Sequence, residues 1–562
     1  MKIVLATCVD DQIEKTQMFG VRYMPVWAYT LASYIRDVPG VEIELYDTRI
    51  HAKIKTPKAD VYFISGINQD FDALVSYQHF LKDRFSSAKI VLGGPIVSSF
   101  KMAGKLADLK CFDHLFLGDG ESAITKLVQD LKGGITLPKL IESKQKFQIE
   151  GARAMDAALI KSTYASYYGA VIEVSRGCPF LCEFCDIRTK PDNNSATNKN
   201  VSVIIEELDL YLSLGVTNVL LACDNFIGSP RWAEEFCDAV IEWRRKTNHA
   251  PRFYTWLTIN LVDHPRLMDK MMAAGFDMFF IGIESFGTAQ LLETAKLQNT
   301  KTNMGDSIRA IQSRGFVVVA GLIFGFDTDP DDAVDVALEG IRKSGLISGD
   351  PSLLTALPGT PLYRRMELAG RLRKSKLGLG GKKYVTNIRY LRPKDQMMKD
   401  FMKFVAEFNQ PQYQWERYQN FVASLAETKK EATKGSYINV GSLFKLALRS
   451  PGSLISLVKR LSLVLNRAVK VYYVARAFQL TLRSPAKMSH FYFWLFNWSN
   501  SLLKYGNLSE ADFDIDSVSH QATYADVLPE GYETDYFEPI PMTKIKAQRR
   551  ATVRALEKAF SP

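Results

Sequence analysis

Three cysteines, Cys178, Cys182 and Cys185, crowd into eight residues of a 562-residue chain that holds seven cysteines in all. They stand as Cys-x3-Cys-x2-Cys in Arg176-Gly177-Cys178-Pro179-Phe180-Leu181-Cys182-Glu183-Phe184-Cys185-Asp186. Three thiolates this close can each take one iron of a cubane cluster and leave the fourth iron without a protein ligand. An open iron is what a cluster needs if it is to bind and reduce a substrate or cofactor. Structural zinc needs a fourth ligand, and the nearest histidines, His114 and His249, are remote in sequence. An odd cysteine count concentrated in one loop argues for a metal site in a reducing compartment rather than a disulfide framework. Cys8, Cys111, Cys223 and Cys237 read as ordinary buried thiols.

The loop has to be held by something, and the pattern around it alternates strand and helix six times. The strands are expected at Val171–Val174, Asn218–Ala222, Phe253–Thr258, Met278–Ile283, Val317–Ile323 and Ser352–Ala356, with helical stretches such as Val203–Ser213, Arg231–Lys246, His264–Ala274 and Asn303–Arg314 between them. Six such units close most of a TIM-type barrel, with chemistry at the carboxyl ends of the strands. The polar residues at those ends are Asp224 and Asn225 after the second strand and Glu284 after the fourth, with Gly321 and Gly325 at the fifth. Each also has a plain structural reading: Asp224-Asn225 as a helix cap, Glu284 as the buried partner of a barrel Lys or Arg, the glycines as turns.

Ahead of this unit, residues 1–140 show the βαβ signature of a Rossmann-like domain, with strands at Lys2–Ala6, Val41–Tyr46, Val61–Ser65, Lys89–Leu92 and His114–Leu117. Three strands run into small or turn residues: Ser65-Gly66, Gly93-Gly94-Pro95 and Gly118-Asp119-Gly120-Glu121. Such turns lie together at the carboxyl edge of an open parallel sheet, where ligands bind, and small residues let a bulky ligand approach the backbone. The expected class is therefore α/β. Residues 141–167 form a linker, 168–375 the (βα)6 barrel, 376–431 a helical connector and 432–562 a mainly helical module.

Composition sets bounds on function. With 47% hydrophobic and 23% charged residues the chain is not mostly disordered. No apolar run reaches the length of a membrane span, and the opening residues turn acidic at Asp10-Asp11 too soon for a signal peptide. A cytoplasmic location is expected. Net charge is +10, and Ala432–Ser509 alone carries eleven Lys and Arg without one Asp or Glu. Within it, Ser453–Arg483 reads as one long amphipathic helix with Lys459, Arg460, Arg467 and Lys470 on one face, followed by the aromatic run Phe491–Phe496. That combination suits an anionic membrane surface; the alternative is a helical cap with a solvated basic face. Nucleic acid is not expected, because the cations are interleaved with aliphatics instead of forming an exposed cluster with stacking aromatics.

The cysteine motif, with Phe184 just before the third cysteine and six βα units behind it, resembles the radical S-adenosylmethionine (radical SAM) superfamily over roughly residues 165–375. The resemblance implies that Cys178, Cys182 and Cys185 ligate a [4Fe-4S] cluster and that Phe184 lies by the adenine of SAM. It implies that Asp224-Asn225 contact the SAM amino group, in place of a commoner Gly-Gly-Glu, that Glu284 reaches the ribose, and that adenine lies on the strand of Gly321 and Gly325. An α/β domain directly ahead of the barrel resembles the cobalamin-binding branch, with Ser65, Gly66, Gly93, Gly94, Gly118 and Glu121 at positions that contact the corrin and its tail. The Asp-x-His-x-x-Gly loop of other cobalamin proteins is missing, so cobalt would lack a His ligand on its lower face.

Asp224–Gly228, Ile281–Ser285, Lys296–Asn299, Gly325–Asp329 and Ala356–Tyr363 look like the group of hopanoid C-methylases, whereas the Asn-rich stretch Arg188–Asn200 departs from it. The implied activity is C-methylation of an unactivated carbon on a small apolar, lipid-like substrate, with electrons from a flavodoxin or ferredoxin. One SAM would give its methyl to cobalamin, and a second would yield the deoxyadenosyl radical that removes a substrate hydrogen atom. A non-methylating oxidoreductase or cyclase of the same branch is the alternative, and a non-catalytic cobalamin or redox sensor a remote one.

Overall fold

A computed structural model describes residues 1–9, 23–143, 145–190, 193–373, 384–425, 451–482, 485–532 and 542–560. The chain forms two compact units. The first comprises Met1–Gly228, Thr355–Arg389 and Leu528–Ile545, the second Ser229–Leu354, Tyr390–Val527 and Lys546–Pro562.

The first unit opens with a six-stranded parallel sheet: β1 (Lys2–Thr7), β2 (Glu42–Asp47), β3 (Val61–Ser65), β4 (Lys89–Gly93), β5 (His114–Leu117) and β6 (Leu140–Glu142), in the order β2-β1-β3-β4-β5-β6. Its central strands β1, β3 and β4 are nearly continuous apolar runs, as expected of a parallel sheet covered on both faces. Val4, Ile64, Ile90 and Leu92 sit in a core with Tyr62, Tyr77, Phe100 and Phe112. The stretch 141–167, expected as a linker, instead starts inside β6 and contains the helix Ala157–Thr163. Its N-cap Asp156 accepts from Leu159 N and is held by Arg36 at 2.7 Å, so this segment is packed, not spanning.

A second six-stranded sheet contains β7 (Ala170–Glu173), β8 (Asn218–Ala222), β9 (Arg252–Leu257), β10 (Phe276–Glu284), β11 (Val317–Phe324) and β12 (Ser348–Leu353), in plain sequential order. Sequential parallel strands joined by helices are the topology expected of a partial barrel. β7 and β8 pair within the first unit; β9 to β12 pair in succession within the second. The last strand begins four residues and ends three residues earlier than expected. Pro351 falls inside it, which is tolerated because β12 is the edge strand and needs no donor there.

The second unit continues with the helices Lys394–Phe408 and Pro411–Ser424 of the connector. The expected single helix over Ser453–Arg483 is two, Pro451–Leu465 and Ala468–Thr481, broken at Asn466-Arg467. Lys470 seals the break: its Nζ donates to Leu463 O (2.6 Å) and Asn466 Oδ1 (3.0 Å), satisfying the end of the first helix. Lys470 is therefore buried, and Arg460 lies over the Phe496 ring and donates to Asn500, so neither belongs to an exposed cationic face. The aromatic run lies in the helix Pro485–Tyr505 and turns inward. Phe491, Trp494 and Trp498 form a buried stripe, with Trp494 Nε1 donating to Gln414 Oε1 (3.1 Å) and its ring 4.9 Å from that of Tyr418. That run is core and not a membrane contact. Lys434, Lys445, Arg449 and Arg483 lie outside the described residues.

Candidate active site

The cysteine loop leaves the sheet after β7 and is closed by a two-residue antiparallel pairing, Ser175–Arg176 with Thr197–Asn198. Between these rungs Gly177 has φ +91°, and a Cβ there would meet Ser195 O at 2.1 Å. Cys178 N donates to Asn193 O (3.0 Å) and Cys185 N to Cys182 O (3.2 Å), which fixes the turn bearing the thiols. Asn225 Nδ2 reaches Cys178 Sγ at 3.7 Å.

Burial pushes the Cys178 thiol up to about 11, and burial together with the neighbouring thiols pushes Cys185 well above its ordinary value. At neutral pH these two sulfurs are thus protonated in the free protein, and metal binding must displace the protons. Among the described residues, no three His, Cys, Asp or Glu are grouped to hold a single metal ion. A cubane asks for something different, one thiolate per iron, and three thiols on one tight, half-buried loop fit that demand.

Asp224 closes the other side of the loop: Oδ2 accepts from Gly177 N (2.6 Å) and from Asn193 Nδ2 (3.4 Å). The first unit also joins the loop to the carboxyl edge of the first sheet through Arg176, a residue that sequence reasoning did not single out. Its guanidinium forks onto Glu173 (2.7 and 2.8 Å) and reaches Glu121 Oε1 at 2.5 Å. Glu121, expected beside cobalamin, thereby also anchors the cluster loop. At the same edge Gly94 has φ +88°, and a Cβ would meet Ser65 Oγ at 2.5 Å and Gly66 O at 2.8 Å. The loops of Ser65, Gly66, Gly93 and Gly94 are therefore packed on one another, while a Cβ on Gly118 would strike Ser143 O at 2.6 Å. Two buried polar atoms, Thr7 Oγ1 at the end of β1 and Asn68 Oδ1 after β3, have no hydrogen-bond partner among the described residues. Other buried atoms, Gln78 Oε1 and Ser175 Oγ among them, share this condition, and what sets these two apart is their place at a parallel sheet's carboxyl edge, which suits a polar ligand group.

The second unit holds the remaining expected residues. Glu284 ends β10 at φ +64°, where the register against β11 shifts between Gly282 and Glu284. An acidic side chain in this strained position must be over-determined by its surroundings. Lys296 Nζ donates to Glu284 Oε1, and Asn299 Nδ2 donates to Gly282 O (3.0 Å) and Ile283 O (3.1 Å). Gly282 is tight for the same reason: a Cβ would lie 2.3 Å from Glu284 Oε1. The segment Lys296–Asn299 thus shapes the bulge that presents Glu284, and the plain reading of Glu284 as a buried partner of a Lys holds alongside any ribose role. On β11 Gly321 faces the Phe280 ring, and Gly325 N donates to Asp329 Oδ2 (2.7 Å).

Glu284→Gln should destabilise the protein by about 3 kcal/mol, because it removes one charge of a buried pair, and should also weaken SAM binding. Urea unfolding of the cluster-free chain reads the first effect and equilibrium SAM binding the second. Unchanged SAM affinity with lowered stability would leave Glu284 a structural acid only.

Residues 172–341 match the model of the Radical SAM superfamily, and residues 360–508 match a model described as a domain of unknown function (DUF4070). The chain is 27% identical over 414 residues to the hopanoid C-2 methylase of Rhodopseudomonas palustris (strain TIE-1), covering 72% of this chain and 75% of that one. It is 29% identical over 355 residues to an uncharacterized methyltransferase of Synechocystis sp. (strain ATCC 27184 / PCC 6803 / Kazusa), covering 63% and 64% of the two chains. Among solved structures, the cobalamin-dependent S-adenosylmethionine radical enzyme OxsB, with aqua-cobalamin and S-adenosylmethionine bound, matches with a TM-score of 0.57 at 14% identity, over 99% of this chain and 84% of that one. At that identity the likeness is one of fold. The chain contains a radical SAM domain, and such a domain works with a [4Fe-4S] cluster and SAM.

Proposed function

We propose that this radical SAM protein is a cobalamin-dependent methylase that adds a methyl group to an unactivated carbon of a small apolar substrate. The observation that carries the reading is Arg176, the residue preceding Gly177-Cys178, whose guanidinium is bonded to Glu121 on the carboxyl-edge loop of the first sheet. A cofactor bound at that edge and a cluster bound by the cysteines would share one rigid support. The named methylase among the relatives and the cobalamin enzyme among the structural matches support the same assignment.

Cys178, Cys182 and Cys185 would hold the cluster, which supplies one-electron reduction of SAM when bound. Gly177, Asn193 and Asn225 fix the loop, and Asp224 sets its entry. Phe184, Asp224, Asn225, Glu284, Gly321 and Gly325 are the proposed SAM contacts. Ser65, Gly66, Gly93, Gly94, Gly118 and Glu121 are the proposed cobalamin contacts, with Thr7 and Asn68 added to them by their unpartnered buried oxygens. The protein's part is placement: the substrate C–H has to meet the radical before water or oxygen does. Anaerobic turnover with methyl-labelled SAM tests the assignment through whether label reaches the product.

The membrane reading rests on the basic helices. No helix among the described residues is long and apolar enough to cross a membrane. Yet Val458, Leu461 and Leu465 form an exposed stripe on the first of the two helices, and Val469, Tyr472 and Leu482 are exposed on or just past the second. Lys459, Arg467 and Arg476 are exposed among them, and no acid occurs from Ala432 to Ser509. An anionic lipid surface suits such a face, each cation contributing about 1 kcal/mol near it, and would supply an apolar substrate. In flotation with liposomes the protein should rise with anionic vesicles at low salt and remain below with neutral ones. Failure to float at any anionic content would remove the membrane from the account.

A further inference from the structure

Glu183 sits between the second and third cysteines and is completely buried, an expensive place for a carboxylate unless it is paired. Its partner is Arg365, also fully buried, from the helix Pro361–Leu368: Nε donates to Oε1 (2.9 Å) and Nη2 to Oε2 (3.1 Å). The main chain is held as well, with Leu362 N donating to Glu183 O (3.2 Å). The Tyr532 hydroxyl, itself buried, donates to Glu183 Oε1. The approach to the helix is fixed by Thr360, whose side chain accepts from Tyr363 N (3.1 Å), and by Gly359, where a Cβ would lie 2.3 Å from Met102 Sδ. All these residues belong to the first unit. The motif Ala356–Tyr363 thus leads into the seat of the cysteine loop.

We propose that Glu183 is a positioning residue for the cluster, and that Arg365 and Tyr532, far along the chain, act through it to hold the loop between Cys182 and Cys185. The inference rests on the assignment of the three cysteines as cluster ligands. A bidentate Arg–carboxylate pair has one geometry, and removing either charge leaves the other buried, so the loop has little freedom to open when iron is lost. The carboxylate also balances the Arg365 charge close to the cluster. Replacing it with an amide leaves that positive charge uncompensated and favours the reduced, more negative cluster.

The test uses the full chain reconstituted anaerobically, with Glu183→Gln and with Tyr532→Phe, which keeps the ring and removes one hydrogen bond. Iron per chain, iron loss to a chelator, cluster midpoint potential and the paramagnetic spectrum of the reduced cluster are read, together with unfolding of the iron-free chain. Tyr532→Phe should load a cluster and then lose iron about tenfold faster, the cost of one hydrogen bond to a charged group. Glu183→Gln should raise the midpoint potential and alter the spectrum. Wild-type iron loss, potential and spectrum in both variants would overturn the proposal, and so would lowered stability of the iron-free chains with those readouts unchanged. If the unaltered chain takes up no cluster, the cysteine assignment itself fails, which separates the two ideas.

Discussion

Cys182→Ala should abolish both the brown charge-transfer absorption of the reconstituted protein and all cleavage of SAM. Cys182 is the middle of the three thiols and lies 7% exposed, between Leu181 and the fully buried Glu183. The loop itself carries no fourth cysteine to take over the vacated iron. Loss of one thiolate from a three-thiolate cubane leaves two irons without protein ligands, so a full complement of about four irons per chain cannot be held. Iron analysis and absorption spectra after anaerobic reconstitution check this directly. A variant that retains four irons and cleaves SAM would exclude the loop as the cluster site. Because burial pushes Cys178 up to about 11, reconstitution must also release protons.

The second large effect concerns what happens to the methyl group. If cobalamin and cluster chemistry are combined as proposed, one SAM supplies a methyl and another supplies the radical, so S-adenosylhomocysteine and 5′-deoxyadenosine should appear together. A sensor would produce neither in turnover, and a cyclase would produce deoxyadenosine alone. These outcomes differ in kind, not in degree, provided that an acceptor substrate is present.

The parts of this site that could be read from the chain are those set by local spacing. The three cysteines lie within one turn-rich loop, and Asp224, Glu284 and Gly325 each follow a run of alternating or continuous apolar residues that ends a strand. The partners were not readable in the same way. Glu183 meets Arg365 across 182 residues and Tyr532 across 349, and nothing in a single sequence connects such positions. An acid between two cysteines does signal that some cation must be near, but not which.

Arg176 stands in plain view within the motif, yet its bond to Glu121 depends on how the first sheet is placed in the same unit. The basic helices misled for a different reason. Read as a string, Phe491–Phe496 is an exposed aromatic run; read at helical spacing with Trp498, it is a buried stripe. Similarly, Lys470 falls on a cationic face only along a continuous helix, and the break at Asn466-Arg467 carries neither Gly nor Pro to announce it. β12 begins at Ser348 and includes Pro351, which its edge position allows.

The most direct test of the central claim is anaerobic turnover with SAM labelled in its methyl group, cobalamin, a low-potential reductant and an apolar lipid extract. The account predicts that label enters an extractable product and that 5′-deoxyadenosine and S-adenosylhomocysteine form in comparable amounts. Accumulation of deoxyadenosine with no label in any product would contradict it.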